Sequence, residues 1–198
     1  MVNMSADNID FRRDYRMKAY VLLCNGFEEV EALTTVDILK RAGVEVAMIA
    51  PYGEEYVEGS HGITVKADVY VFNDAELGDA DAVILPGGKA GTANLKAHPG
   101  VANMIKAYYE SGKLVCAICA APTVLGAAGI LDGRKCTCFP GWEEGLGKGI
   151  HVGGPAVKDG NVITGKSMGC SVDFALAVAE ALVGKEAAEK VETSIYRS

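Results

Sequence analysis

Apolar residues follow two rhythms along this chain. Short β-prone runs alternate with stretches in which apolar positions return every three or four residues. AYVLLC (Ala19 to Cys24) predicts a first strand, ended by Asn25-Gly26. Glu28 to Ala42 predicts a helix with Val30, Leu33, Ile38 and Leu39 at helical spacing and Gly43 as its stop. VEVAMIA follows as a second strand, so the opening reads as a βαβ unit with parallel strands and a right-handed crossover. Residues 52 to 72 alternate around Glu58-Gly59-Ser60-His61-Gly62 and predict a hairpin followed by a polar link. The βα rhythm then resumes. DAVILP (Asp81 to Pro86) and LVCAI predict buried strands, Asn94 to Tyr109 a helix, and Ala120 to Ala128 a short one. Lys135 to Phe139, Ile150 to Val157 and Asn161 to Thr164 predict short strands, the last two joined at Asp159-Gly160. Asp173 to Val183 and Lys185 to Thr193 predict two closing helices on either side of Gly184. Residues 1–16 carry no sustained period and read as a flexible lead. No repeat or low-complexity linker divides the remainder, so residues 17–198 are expected to form a single α/β domain, a three-layer sandwich on a mostly parallel sheet.

Composition narrows the function classes. The 198 residues are 49% hydrophobic and 23% charged, enough for a core without disulfides. Nineteen Lys and Arg against 26 Asp and Glu leave a formal charge of −7, which carries no nucleic-acid footprint. The 18 uncharged residues from Leu114 to Leu131 reach the lower limit of a membrane span. Pro122, the glycines and the change from a β-rich to an Ala-rich half favour a strand running into a helix, so no membrane partner is expected. Six cysteines without a secretory apolar region suit a reducing cytoplasm.

In an open parallel sheet, ligands collect beyond the C-terminal ends of the strands. Three endings carry chemistry: Asn25 to Glu31, Pro86-Gly87-Gly88, and Cys119-Ala120-Ala121-Pro122. Cys119 stands where a buried strand turns into a helix, so its thiol would face free N–H groups that favour thiolate. The Ala120 N–H, joined by that of Gly88, could form an oxyanion hole. The plain alternative is a small buried hydrophobe. Glu28, Glu29 and Glu31 all suit the first turn of a helix; that role is given to Glu28 and Glu29.

GFEEVEA, VILPGG, CAICAAPTVL and DFALAVAEALVGKEAAEKV, in this order, resemble the DJ-one/PfpI superfamily (also written DJ-1/PfpI or ThiJ/PfpI) over residues 17 to 193, in its DJ-one branch. The resemblance implies a flavodoxin-like fold. It gives Cys119 the nucleophile position, Glu31 the neighbouring acid, and Gly88 and Ala120 the oxyanion-hole amides. It also implies a homodimer using the hairpin and cofactor-free chemistry on small reactive carbonyls, either methylglyoxal or early glycation adducts on proteins. The rival is an oxidative-stress sensor or chaperone-like protein in which Cys119 is oxidised. Glu31 is expected as an exposed pocket acid.

Three departures shape these expectations. Phe139 stands where the family's best-known member has a histidine near the nucleophile. Ala120 stands where the proteases of the superfamily have a histidine, which removes the base of a protease. The loop Gly165 to Cys170 lacks the family's proline, and a thiazole-biosynthesis role finds no phosphate-binding glycine motif. His61 in the hairpin, His98 in an Ala-His-Pro-Gly turn and His151 near a short strand show no metal spacing and are expected to be exposed or locally bonded, with His61 able to reach a partner subunit. Cys116 and Cys119 spell C-x-x-C but lie on a strand and at its end, facing apart. Cys136-x-Cys138 supplies two thiols with no evident further ligand, so no metal is expected. Cys24 is expected to pack in the core.

Overall fold

A computed structural model describes residues 16–70 and 77–197; the expected lead at 1–16, apart from its last residue, and residues 71–76 after the hairpin lie outside the described residues. The chain opens with β1 (Lys18–Leu22), α1 (Glu29–Arg41) and β2 (Glu45–Ile49), followed by the hairpin β3 (Tyr56–Glu58) and β4 (Thr64–Lys66). Next come β5 (Ala82–Leu85), α2 (Lys89–Ala97), α3 (Pro99–Glu110), β6 (Leu114–Ile118) and α4 (Pro122–Ala127). The short β7 (Lys135–Cys136) and β8 (Ile150–His151) precede β9 (Ala156–Asp159), β10 (Val162–Gly165), α5 (Ser171–Val183) and α6 (Lys185–Ser194).

The main sheet has the order β2-β1-β5-β6-β10-β9, parallel except for β9. Its strands sort their side chains by alternation. Tyr20 and Leu22, Val83 and Leu85, and Val115 and Ala117 enter one apolar layer with Leu95, Ile105 and Leu125 from α2, α3 and α4. Ala19 and Val21, Ala82 and Ile84, and Cys116 and Ile118 enter the opposite layer with Val36 and Leu39 of α1 and Phe174 and Val178 of α5. Both faces are covered, which is why these strands read as continuous apolar runs. Each fully buried Leu, Ile or Phe side chain contributes about 1.5–3 kcal/mol. The result is the flavodoxin-like three-layer sandwich expected from the sequence.

The structure corrects several boundaries. The helix expected over Asn94 to Tyr109 is two helices, starting at Lys89 and broken at His98. Pro99 has no N–H and pushes His98 into an extended conformation (φ −85°, ψ 112°), and the His98 ring accepts the Val101 N–H at 3.3 Å. The strand expected over Ile150 to Val157 divides into β8 and β9, because Gly153 and Gly154 both take positive φ ahead of Pro155. The strand expected to run to Phe139 stops at Cys136.

Strand order places the site. The chain passes from β1 to one neighbour, β2, and later returns on the other side as β5. The loops after β1 and β5 therefore diverge around a crevice, with the end of β6 beside it.

Candidate active site

Cys119 lies one residue past β6 with φ +66°, in the left-handed region. That conformation costs about 1–3 kcal/mol in a side-chain-bearing residue. Both flanking backbone groups are tied: the Cys119 N–H donates to the Gly165 carbonyl at 2.9 Å, and its carbonyl accepts the Phe139 N–H at 2.8 Å. The turn lifts the thiol out of the strand, and the backbone N–H groups of Ala120 and Gly88 act on the sulfur, favouring its charged form. Gly88 itself takes φ +84°, and a Cβ there would stand 2.7 Å from the Glu28 nitrogen. The expected nucleophile and both expected amides are therefore together.

Glu31 joins them, but not as an exposed acid. It is 1% exposed, projecting from the first turn of α1. Its Oε2 accepts the Gly87 N–H at 2.8 Å, and the carboxyl lies close enough to the Cys119 thiol to act on its proton. Its Oε1 is buried without a partner among the described residues. Burial pushes the carboxyl up to about 7, outweighing the opposing bonds from Cys119 and Gly87, and the charge of Glu28 adds to the rise. Gly87 is the site residue that sequence reasoning passed over. A Cβ on it would lie 2.5 Å from Glu31 Oε2 and 2.7 Å from Cys119 Cβ, so the second residue of PGG is glycine for closeness.

Thiolate stabilisation by the helix start is also revised. Burial pushes the Cys119 thiol up to about 12, the Glu31 carboxylate adds to this, and the Ala120 and Gly88 N–H groups pull the other way. The influence of Glu31 changes when it holds the proton, because its charge is then lost and the carboxyl can donate to a thiolate. Thiol and acid are thus coupled, the charge of Glu31 raising the proton affinity of Cys119.

The other two glutamates have separate duties. Glu28 caps α1 by accepting the Glu31 N–H at 2.7 Å. Glu29 turns to the hairpin: it accepts the His61 N–H at 2.6 Å, pairs with His61 Nδ1 at 2.9 Å and accepts the Ser60 hydroxyl at 3.0 Å. Burial alone would raise the Glu29 carboxyl, but these bonds hold it at about 2. His61, with a 73% exposed side chain, is thus locally bonded. Cys24, Cys116, Cys136 and Cys138 are buried, while Cys119 and Cys170 are partly exposed. Beside the loop holding Gly88, a cleft of about 640 Å³ is lined by Asn25, Gly26, Ser60, Lys89 and Asn94 among others.

A family model described as the DJ-1/PfpI family matches residues 17–181. The chain belongs to the DJ-1/PfpI family. Among its relatives is the Parkinson disease protein 7 homolog of Danio rerio, 36% identical over 181 residues, covering 90% of this chain and 96% of that protein. Deglycase PH1704 of Pyrococcus horikoshii is 34% identical over 152 residues, 76% of this chain and 90% of that one. A crystal structure of a DJ-1 superfamily protein from Salmonella typhimurium superposes with a TM-score of 0.86 at 38% identity, covering 92% of this chain and 99% of that one. In this DJ-1/PfpI chain, Phe139 is 42% exposed and contributes its backbone N–H to the elbow. Among the described residues, no helix is long and apolar enough to cross a membrane.

Proposed function

We propose that this DJ-1/PfpI chain is a cofactor-free, cysteine-dependent enzyme acting on small reactive carbonyls, as a glyoxalase on methylglyoxal or a deglycase on early glycation adducts. The observation that carries the reading is the Cys119–Glu31 unit, a partly exposed thiol on a left-handed elbow beside a buried acid raised to about 7. The name of the Pyrococcus relative, a deglycase, supports the same class.

In this reading the Glu31 carboxylate takes the Cys119 proton, leaving a neutral acid beside a thiolate. Sulfur adds to the aldehyde carbon, and the carbonyl π pair moves onto oxygen. The Gly88 and Ala120 N–H groups hold that oxygen while Glu31 returns its proton, giving a hemithioacetal. Glu31 then removes the C–H proton from the former aldehyde carbon, and a proton is delivered to the neighbouring ketone carbon as the hydroxyl proton passes between the two oxygens. The product is a lactoyl thioester. Water cleaves it to lactate and restores the thiol, so the whole is an isomerisation plus one hydration, with no external oxidant. Positioned acid–base groups of this kind contribute about 10²–10⁴-fold.

The partial exposure of Cys119 also favours a second reading, oxidation of the same thiolate in a stress sensor. Lactate formation from methylglyoxal and the Cys119 peptide mass, measured together on wild type and Cys119→Ser, distinguish them. Turnover in wild type that vanishes in Cys119→Ser supports the enzyme. No turnover, with ready peroxide oxidation of Cys119, supports the sensor. We further propose a homodimer through the hairpin, where Tyr56 and Ile63 stand more than half exposed; a monomeric mass by light scattering at micromolar concentration would contradict it.

A further inference from the structure

The second thiol of Cys136-x-Cys138 acquires partners that its spacing in sequence does not announce. Cys138 Sγ, a carboxylate oxygen of Glu143 and a ring nitrogen of His151 all lie within 4.8 Å of one another. They come from three segments brought together by local structure. β7 and β8 run parallel with Cys136 opposite His151, and the Val152 N–H donates to the Cys136 carbonyl at 3.0 Å. The Pro140-Gly141 turn, with Gly141 at φ +89° and the Trp142 N–H on the Phe139 carbonyl at 3.1 Å, then folds the chain back and sets Glu143 beside Cys138.

We propose that Cys138, Glu143 and His151 form a binding site for a divalent cation of the zinc class, separate from the Cys119–Glu31 unit. One thiolate, one imidazole and one carboxylate are the ligand types that Zn²⁺ accepts, and three protein ligands leave a fourth position for water. Ligand atoms around a tetrahedral Zn²⁺ stand about 3.3–3.8 Å apart, given metal–ligand lengths of roughly 2.0–2.3 Å. From separations of at most 4.8 Å, the triad need close by no more than about 1.5 Å, and rotation of its exposed members can supply that. Cys138 is 1% exposed, whereas the Glu143 and His151 side chains lie exposed at the surface. The other cluster of similar size, Glu28, Glu29 and His61, differs in this respect, since Glu29 and His61 already satisfy each other. The Cys138 thiol donates a weak 3.4 Å hydrogen bond to the Phe139 carbonyl.

Binding replaces the S–H bond with a metal–sulfur bond and releases the thiol proton to solvent. A bound ion would also fix the segment that carries the Phe139 N–H onto the Cys119 carbonyl.

Cobalt(II) is the probe, because a thiolate ligand gives it a near-ultraviolet charge-transfer band. Titration of the full chain should produce this band at about one equivalent, and Zn²⁺ should displace it. Cys119→Ser should keep the band and Cys138→Ser should lose it. The exposed variants His151→Ala and Glu143→Gln leave the core untouched. Each should weaken cobalt binding about tenfold or more, as losing a direct ligand costs at least what losing an outer partner does. No thiolate band in the wild type, a band that survives Cys138→Ser, or unchanged affinity in both His151→Ala and Glu143→Gln would overturn the proposal.

Discussion

Replacing Glu31 by Gln should stabilise the fold at neutral and alkaline pH and leave it nearly unchanged in mild acid. The folded carboxyl is raised from the ordinary 4.5 to about 7, chiefly by burial. The native state therefore holds its proton more tightly than the unfolded chain. Between these two values the native state carries more protons, so this group's contribution to stability falls as pH rises through the window. At about 1.36 kcal/mol per pH unit, the full cost of ionising Glu31 in place is about 3 kcal/mol, reached above pH 7. Gln cannot ionise, and its side-chain oxygen can accept the Gly87 N–H as Oε2 does. Any misfit of the amide is independent of pH, so the variant's stability relative to wild type should rise by about 3 kcal/mol between about pH 4.5 and pH 8. Urea unfolding followed by far-ultraviolet circular dichroism, at fixed protein concentration, measures it. A difference that stays constant with pH to within about 1 kcal/mol, or falls, would refute the buried protonatable acid.

Gly87→Ala places a methyl group 2.5 Å from Glu31 Oε2 and 2.7 Å from Cys119 Cβ, so it should separate acid from thiol and lower the alkylation rate of Cys119 about tenfold or more, read by peptide mapping. His61→Ala should destabilise most near about pH 5.5. The Glu29 half of the pair is present above 4.5 and lost as pH falls to about 2, while the His61 half is present below 6.5 and lost as pH rises through its raised value, so melting temperatures across pH should show the largest difference between these limits. Phe139→His leaves the backbone bond to Cys119 in place and adds a base at a 42% exposed position, so carbonyl turnover should rise if proton relay is limiting, with steady-state kinetics as the check.

The sheet was legible because strands buried on both faces appear as unbroken apolar runs, and DAVIL and LVCAI are such runs. The Ala-His-Pro-Gly turn at His98 was legible, but not that it divides the helix, because Ala and Leu continue the period on one side of Pro99 and Val and Ile on the other. At the site, Cys119 stood out by position, at the end of a buried strand. Glu31 did not, since three glutamates share one helical turn and only packing decides which is buried under Gly87. Family resemblance supplied that choice, although its expectation of an exposed acid gave way to burial. Glu29 meets His61 across 32 positions and Cys138 meets His151 across a separate two-stranded piece, and no spacing rule in the sequence encodes either meeting.

The proposed sharing of one proton between Cys119 and Glu31 is tested most directly by the pH dependence of iodoacetamide labelling, resolved by peptide for all six cysteines. Wild-type Cys119 should be labelled first, at a rate that rises through about pH 7 and then levels, as the remaining proton is divided between acid and thiol. Glu31→Gln should lack the inflection near 7. Preferential labelling of Cys170 or a buried cysteine, or a Cys119 that stays inert until the pH approaches about 12, would contradict the account.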